Sequence, residues 1–306
     1  MSIFVTASWS DWIQAIRLRT LPLAASCILT GFAVGYASES GPVVIMVLTL
    51  LTAFLLQVLS NLANDYGDSV HGADNANRVG PVRAVQSGRI AASQMKAAVG
   101  ITATLALGSG LLLLWLAFGV AGKWRELFFL LIFGLFAILA AYAYTAGKRP
   151  YGYRGWGDVF VLLFFGAVGV GGSYFLVTHE LGTSIVLPAI WVGLQSTAVL
   201  NLNNLRDHVN DRATGKMTLV VRMGFVSGKR YHTALIAAAG VAMLVESVLS
   251  TNLVLGAMCG AWAVFSFFHL RRVWRCQTPA AIDPELKRVA LMTFLLSVVF
   301  FVSQVI

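Results

Sequence analysis

Residues 42–68 read PVVIMVLTLLTAFLLQVLSNLANDYGD, an apolar run that passes directly into a cluster of amide and acidic side chains. A helix needs roughly 20 apolar residues to cross the hydrocarbon core of a bilayer, and residues 42–64 supply that length without a charge. The stretch therefore predicts a transmembrane helix whose exit from the membrane is marked by polar side chains.

The rest of the chain repeats this apolar character. Of its 306 residues, 58% are hydrophobic and 11% are charged, whereas soluble proteins average about 45–50% and about 25%. We therefore expect an all-α membrane protein with a single domain over residues 1–306. Nine apolar runs are predicted to span the membrane, at about 20–38, 42–64, 97–118, 126–146, 158–178, 184–205, 231–249, 253–270 and 288–305.

The net charge of +9 is unevenly distributed across the predicted membrane. When the 22 lysines and arginines are assigned to alternating sides of the nine spans, all except Lys123 and Arg125 fall on one side. The positive-inside rule makes that side the cytoplasm. It then holds the amino-terminal segment 1–19 and the long loops 65–96 and 206–230, which are the expected active-site loops. A charge distribution set by the membrane does not indicate a nucleic-acid partner.

The aspartates are concentrated at two places on that cytoplasmic side. Five of the eight lie within 61–74 and 203–211, where the second and sixth predicted spans leave the membrane. Side chains three or four residues apart share one face of a helix, so each segment presents a polar ridge. The first ridge contains Asn61, Asn64, Asp65 and Asp68, with Asp74 beyond it, and the second contains Asn204, Asp207 and Asp211.

These two ridges predict metal sites. Carboxylates at the carboxyl-terminal end of a helix face the negative end of its dipole, so several of them together are destabilising unless a cation compensates. Oxygen ligands favour a hard ion, and a few carboxylates with room for water fit Mg²⁺ bridged to phosphate oxygens. Two ridges indicate two Mg²⁺ ions.

The same side of the membrane carries the cations that a diphosphate would require. Acidic ligands for metal, cations for phosphate and an apolar helical bundle for a long tail together indicate a polyprenyl diphosphate, whose cleavage leaves an allylic cation. The candidate diphosphate-binding residues are Arg83, Lys148, Arg149, Arg206, Lys216 and Arg222.

Other interpretations fit parts of this pattern. An acidic and basic loop can be a solvated cytoplasmic face, and aspartates in a membrane protein can form the ion path of a cation transporter. A transporter is disfavoured because its ionisable residues are expected near the midplane, whereas these gather at one end. Nucleotide hydrolysis is not indicated, since Gly215-Lys216-Met217-Thr218 lacks the upstream glycine of a phosphate-binding loop.

Several short motifs carry a resemblance to a known family. NDYGD at 64–68, with Asp74, Asp207 and Asp211, resembles the intramembrane aromatic prenyltransferase superfamily. Within it, the chain from about 16 to 230 is similar to the branch that prenylates 1,4-dihydroxy-2-naphthoate. The motifs that carry this second resemblance are TLP at 20–22, LSNLANDYGD at 59–68, GP at 80–81, QSG at 86–88, RPYGY at 149–153 and NNLRD at 203–207.

The resemblance implies a fold and a reaction. The fold is a nine-helix bundle around a central cavity, in which Asp65 and Asp68 with Asn61 or Asn64 hold one Mg²⁺. Asp207 and Asp211 hold the other ion, Asp74 is a further candidate ligand, and Arg19 stands at a basic position of the family. The reaction transfers a polyprenyl group to the naphthoate with loss of diphosphate and CO₂, giving demethylmenaquinol in a bacterial cytoplasmic (inner) membrane. Another aromatic acceptor such as 4-hydroxybenzoate stays open.

Three further features have two interpretations each. Tyr144, Tyr151 and Tyr153 surround the loop after the fourth span, where their ring faces would shield a carbocation or form an interfacial aromatic belt. Glu246 lies near the outer end of the seventh span, which favours a carboxylate that reaches the interface over a functional one. The glycines at 166–172 in the fifth span indicate either close helix packing or space for a prenyl tail.

Overall fold

The computed structural model of the chain describes residues 7–39, 41–73, 79–147 and 149–305, and these residues form helices and no strands. Within those ranges, nine helical stretches are long and apolar enough to cross a membrane, which confirms the predicted number. The helices are α1 (Trp9–Ile16), α2 (Leu21–Tyr36), α3 (Val43–Val70), α4 (Ala92–Leu114), α5 (Trp124–Ala143), α6 (Gly157–Val161), α7 (Gly172–Thr178), α8 (Val186–Ala213), α9 (Leu219–Met223), α10 (Phe225–Ser250), α11 (Leu253–Arg275) and α12 (Asp283–Val305). The fifth span consists of α6, a π-helical segment over Leu162–Gly171, and α7.

Two of the spans continue as helices beyond their apolar runs. The runs that end at 64 and 205 belong to α3 and α8, which reach Val70 and Ala213. Hydropathy reports contact with lipid and not helical geometry, so a helix that leaves the membrane loses its hydropathy signal before it ends. The expected loops 65–96 and 206–230 therefore begin as the last turns of α3 and α8.

The short helix α1 precedes the first span. Ser8 and Asp11 form a capping box, in which the Ser8 hydroxyl accepts a hydrogen bond from the Asp11 N–H at 3.3 Å and Asp11 Oδ2 accepts one from the Ser8 N–H at 3.0 Å. Trp9 is 86% exposed, while Arg89 ties α1 to the loop after α3 through a 3.2 Å ion pair with Asp11. Helix α1 therefore presents an aromatic side chain outward and is fixed to the loop before α4.

The buried apolar residues form two clusters. The larger joins α2, the fifth span, α8 and the three helices α10, α11 and α12. The smaller joins α1, the second half of α3, the first half of α4 and the loop at 84–90. The second half of α3 packs in the smaller cluster and α8 in the larger one, and each helix carries its polar ridge toward its carboxyl-terminal end.

Candidate active site

A cavity of about 730 Å³ lies between the two ridges and extends into the apolar interior. From α3 it is lined by Asn61, Asn64 and Asp68, and from α8 by Asp207 and Asp211. The two acidic segments, about 140 residues apart in the chain, therefore share one cavity.

Asp68 is the aspartate of α3 that reaches this cavity, and it is 4% exposed. Its carboxylate accepts hydrogen bonds from Lys216 Nζ at 3.2 Å and from the Tyr153 hydroxyl at 2.8 Å. The glycine before it, Gly67, packs so closely that an added Cβ would lie 2.5 Å from the Thr145 carbonyl carbon. Only glycine allows α3 to approach the chain after α5 at this point, and the approach sets the position of Asp68.

The Asp65 side chain does not reach this cavity. It is buried and accepts hydrogen bonds from the backbone N–H groups of Ala84 and Val85 at 3.1 and 3.3 Å. It lines a second, smaller cavity beside α1 and not the large one. Its contacts fix the loop that carries Arg83, which lines both cavities.

The carboxylate of Asp207 is held by a fork of hydrogen bonds. Arg206 donates from Nε to Asp207 Oδ1 at 2.8 Å and from Nη2 to Oδ2 at 2.7 Å, and its Nη1 lies 2.5 Å from Asp283 Oδ1 at the start of α12. The Arg206 side chain is 1% exposed. A buried guanidinium engaged in this way orients Asp207 and links α8 to α12.

Lys216 connects the two ridges electrostatically. Burial alone would lower the pKa of its ammonium group, but the carboxylates of Asp68 and Asp211 outweigh that effect and raise the pKa above its ordinary value. Because Lys216 lines the cavity, the raised pKa keeps a positive charge there at physiological pH. Carboxylates from both α3 and α8 thus act on one ammonium group.

The other predicted cations divide into those that reach the cavity and those that do not. Arg19 and Arg83 line it, as do Arg206 and Lys216. Arg149 is exposed and does not line it. Arg222 is also exposed, and its guanidinium donates to the carbonyl oxygens of Met217 at 3.3 Å and Arg154 at 2.9 Å, so it braces two loops outside the cavity. Asp74 and Lys148 lie outside the described residues.

The three predicted tyrosines also differ in whether they line the cavity. Tyr144 and Tyr151 line the cavity in an edge-to-face pair with ring centroids 5.3 Å apart, and Tyr151 stacks on Phe160 at 4.1 Å. Tyr153 does not line it; its ring lies 5.1 Å from Lys216 Nζ. Two of the tyrosines are therefore placed where a cation in the cavity would meet a ring face.

Sequence reasoning missed the contribution of the ninth span. Asp283, Lys287 and Arg288 at the start of α12 line the cavity, as does Asn203 of α8, which accepts a 2.6 Å hydrogen bond from Arg206. From the sequence, Lys287 and Arg288 were used only to assign the positively charged, cytoplasmic side of the membrane. Their shared side of the membrane was the only signal that could have indicated them.

The donor set fits Mg²⁺. Among the described residues, no group of three histidine, cysteine, aspartate or glutamate side chains is placed to hold one metal ion, so a site built wholly from protein ligands of that kind is not indicated there. Mg²⁺ is commonly held by one or two carboxylates together with water and substrate phosphates. Asp68 on one ridge, and Asp207 with Asp211 on the other, provide that kind of arrangement.

Comparison with known proteins agrees with this architecture. Residues 24–298 match the model of the UbiA prenyltransferase family. The chain is 43% identical over 297 residues to 1,4-dihydroxy-2-naphthoate octaprenyltransferase of Escherichia coli K12, with 96% of each chain covered. It is 40% identical over 299 residues to the protein of the same name from Haemophilus influenzae, with 94% of each covered.

Solved structures with little sequence identity share the fold. A UbiA homolog from Aeropyrum pernix K1 has a TM-score of 0.66 at 14% identity, over 91% of this chain and 94% of that one. A UbiA homolog from Archaeoglobus fulgidus, solved with DMAPP and Mg²⁺, has a TM-score of 0.62 at 15% identity, over 94% and 98%. The nine-helix bundle is therefore a known architecture.

Proposed function

The chain belongs to the UbiA prenyltransferase family, and on that premise we propose that it transfers a polyprenyl group from a polyprenyl diphosphate to 1,4-dihydroxy-2-naphthoate. The observation that carries the proposal is the single cavity in which the aspartates of α3 and α8 surround Lys216 at one end, while apolar side chains line the rest. The polar end suits a diphosphate, and the apolar part suits its tail. Membership of this family favours an enzyme over the cation transporter that the sequence left as an alternative.

The proposed reaction breaks two bonds and forms one. The bond between the first tail carbon and the diphosphate oxygen breaks, and its electron pair leaves with the diphosphate. The ring carbon that bears the acceptor's carboxylate then bonds to the allylic cation. Finally, the bond to the carboxylate breaks, CO₂ departs and its electron pair restores the aromatic ring, giving demethylmenaquinol.

Named residues support each part of this reaction. Lys216, Arg83 and Arg19 supply positive charge for the leaving diphosphate. Tyr144 and Tyr151 offer ring faces to the allylic cation. The reaction depends on metal, and we propose two Mg²⁺ ions, one held by Asp68 with Asn61 or Asn64 and the other by Asp207 with Asp211. The chemistry that bound Mg²⁺ supplies there is neutralisation of charge on the departing diphosphate.

Asp65 has a positioning role in this proposal. Both of its hydrogen bonds go to the backbone of the loop that carries Arg83, so it holds that cation at the cavity.

This multi-pass membrane protein is proposed to lie in a bacterial cytoplasmic (inner) membrane with its amino terminus in the cytoplasm. The support is the distribution of lysine and arginine, which leaves only Lys123 and Arg125 on the outer side. The bacterial sources of the similar naphthoate octaprenyltransferases agree with it.

The assignment is tested with purified protein, Mg²⁺, a polyprenyl diphosphate and either acceptor. With 1,4-dihydroxy-2-naphthoate we expect release of diphosphate and CO₂ in equal amounts, and chelation of the metal should stop both. Faster turnover with 4-hydroxybenzoate would displace the proposed acceptor. A prenylated acceptor formed with release of diphosphate but without CO₂ would show that prenyl transfer is not decarboxylative.

Lys216 gives the first specific prediction. Lys216→Gln should raise the KM for polyprenyl diphosphate by about ten- to a hundredfold, since hydrogen bonds to a charged group contribute about 1.5–3 kcal/mol. The raised pKa keeps the Lys216 ammonium group charged from neutral to mildly alkaline pH. The KM of the wild type should therefore stay flat from neutral to mildly alkaline pH.

Lys96→Gln is the matched control, because Lys96 is an exposed cation of α4 that does not line the cavity. Steady-state kinetics of diphosphate release measure both variants. Equal KM values in Lys216→Gln and the wild type would remove Lys216 from the binding site.

A further inference from the structure

Two neutral polar side chains line the cavity well inside the bundle, one on α3 and one on α8. Gln57 precedes Asp68 by 11 residues, and Ser196 precedes Asp207 by 11 residues. Eleven residues make about three helical turns, so each side chain lies on the same helix face as its aspartate, roughly 16 Å farther from the ridge along the helix axis. The cavity therefore has a polar position at a similar depth on both of these walls.

The orientation of the Gln57 amide follows from a chain of hydrogen bonds. Asn61 Nδ2 donates to the Ile16 carbonyl oxygen at 2.8 Å and to Thr20 Oγ1 at 2.9 Å, so the other terminal atom of Asn61 is its oxygen. That oxygen accepts from Gln57 Nε2 at 3.4 Å. Gln57 Oε1 has no hydrogen-bond partner within the described part of the chain. Because Gln57 lines the cavity, this oxygen offers a hydrogen-bond acceptor there.

Ser196 adds a hydroxyl group to the opposite wall. Its side chain is 2% exposed, and its Oγ makes no hydrogen bond to any described residue. Serine and threonine inside helices commonly donate to the carbonyl oxygen one turn earlier, as Thr49 does to Ile45 at 2.7 Å and Thr197 does to Gly193 at 2.8 Å. A buried polar group costs free energy unless it is paired. Ser196 is therefore suited to a polar ligand group in the cavity.

The chemistry of the proposed substrates identifies that ligand group. Gln57 Oε1 can only accept a hydrogen bond. The prenyl tail is a hydrocarbon and cannot donate one, and the ionised diphosphate carries acceptor oxygens. The naphthoate carries hydroxyl groups at its positions 1 and 4. Its 1-hydroxyl lies next to the carboxylate and hydrogen-bonds to it internally, so the 4-hydroxyl is the donor that remains for the protein.

We propose that Gln57 and Ser196 form the binding subsite for the 4-hydroxyl group of the naphthoate. The proposal rests on the proposed function. The hydroxyl donates to Gln57 Oε1 and accepts from the Ser196 hydroxyl, so one ligand group satisfies both side chains. The carboxylate and the ring carbon that bears it then point toward the ridges, where the diphosphate leaves. A site that holds this hydroxyl favours the dihydroxynaphthoate over an acceptor that lacks it.

The test compares two ligands that differ by one hydroxyl group. Gln57→Met keeps an unbranched side chain but removes the amide oxygen, and it should raise the KM for 1,4-dihydroxy-2-naphthoate about tenfold. The inhibition constant of 1-hydroxy-2-naphthoate, which lacks the 4-hydroxyl, should change by less than about twofold. Ser196→Ala should give the same pattern with a smaller rise in KM. Inhibition is measured against the dihydroxynaphthoate, so the analogue does not have to react.

Thr49→Val is the matched control. Thr49 also lines the cavity on α3, but its hydroxyl already donates to the Ile45 carbonyl oxygen, so its removal should leave both constants unchanged. In all three variants the KM for polyprenyl diphosphate should stay at the wild-type value, and thermal unfolding in detergent checks that each variant is folded.

Three results would overturn the proposal. Equal losses of affinity for both ligands would show that the two side chains do not contact the 4-hydroxyl. An unchanged KM for the dihydroxynaphthoate would show that water and not the acceptor occupies this position. A rise confined to the KM for polyprenyl diphosphate would assign the position to the tail. Failure of the proposed function looks different, because the wild type itself would then release no diphosphate with the dihydroxynaphthoate.

Discussion

Asp207→Asn should lower kcat/KM for polyprenyl transfer by about a thousandfold and leave a folded protein, since losing one group that stabilises transition-state charge typically costs about that much. The amide has the same shape as the carboxylate, but only its oxygen can accept from Arg206, so one of the two hydrogen bonds that Arg206 donates to Asp207 at 2.7 and 2.8 Å is lost. The variant therefore removes a negative charge and one hydrogen bond with little change in side-chain volume. Diphosphate release across a Mg²⁺ titration measures the effect, and the Mg²⁺ concentration for half-maximal rate should rise.

The control for this charge change is Asp11→Asn. Asp11 is an aspartate of α1 that pairs with Arg89 and does not line the cavity, so its variant should keep the wild-type Mg²⁺ dependence. If Asp207→Asn keeps both the rate and the Mg²⁺ dependence of the wild type, the second metal site is not where we place it.

Arg206→Ala should be the most destabilising single change proposed for this site. Removing one partner of a buried ion pair costs about 3–5 kcal/mol. Asp207, with a side chain 6% exposed, would lose its two-pronged guanidinium contact while it stays buried, whereas Asp283 is 40% exposed and can be solvated. Thermal unfolding in detergent should show a large drop in the midpoint, together with loss of activity.

Arg206→Lys separates a positioning role from diphosphate binding, which the sequence suggested for this residue. Lysine keeps the charge but cannot form the two-pronged contact with Asp207. A positioning role predicts a lower kcat and a higher Mg²⁺ requirement with the KM for diphosphate unchanged. A rise in that KM with normal Mg²⁺ dependence would instead make Arg206 a diphosphate ligand. Asp283→Asn should give a milder form of the positioning effect, because of its exposure.

The bundle could be predicted from the sequence because its signals are local. Each span is an uninterrupted apolar run, and the two acidic ridges follow from spacings of three and four residues within 61–68 and 204–211. The extent of α3 and α8 was less predictable, because their last turns carry polar side chains in a helical conformation. Local patterns thus indicated the spans and the ridges but not how far α3 and α8 extend beyond their apolar runs.

Which side chains reach the cavity depended on tertiary contacts that no local pattern shows. Asp65 and Asp68 look equivalent in the sequence, yet Asp65 turns to the N–H groups of Ala84 and Val85 while Asp68 meets Lys216. The difference arises because residues three apart on a helix point about 60° apart, which here separates the cavity from the loop. Spacing defines a helix face but not the neighbour that the face meets.

The expectation for Glu246 was wrong for the same reason. Its position near the outer end of the seventh span favoured a carboxylate that reaches the interface, but its side chain is buried and accepts a 2.8 Å hydrogen bond from Trp191 Nε1. The donor belongs to α8, 55 residues earlier in the chain. A buried polar group is stable where such a partner exists, and the partner is visible only in the folded bundle.

The contact between Asp283 and Arg206 gives the end of the chain an unexpected part in the chemistry. In the sequence, the last three spans match the family mainly by length and hydropathy. Yet Asp283, the first residue of α12, accepts a hydrogen bond from the Arg206 guanidinium, which also holds Asp207. A chain shortened before α12 would lose this contact to Arg206 as well as one wall of the cavity.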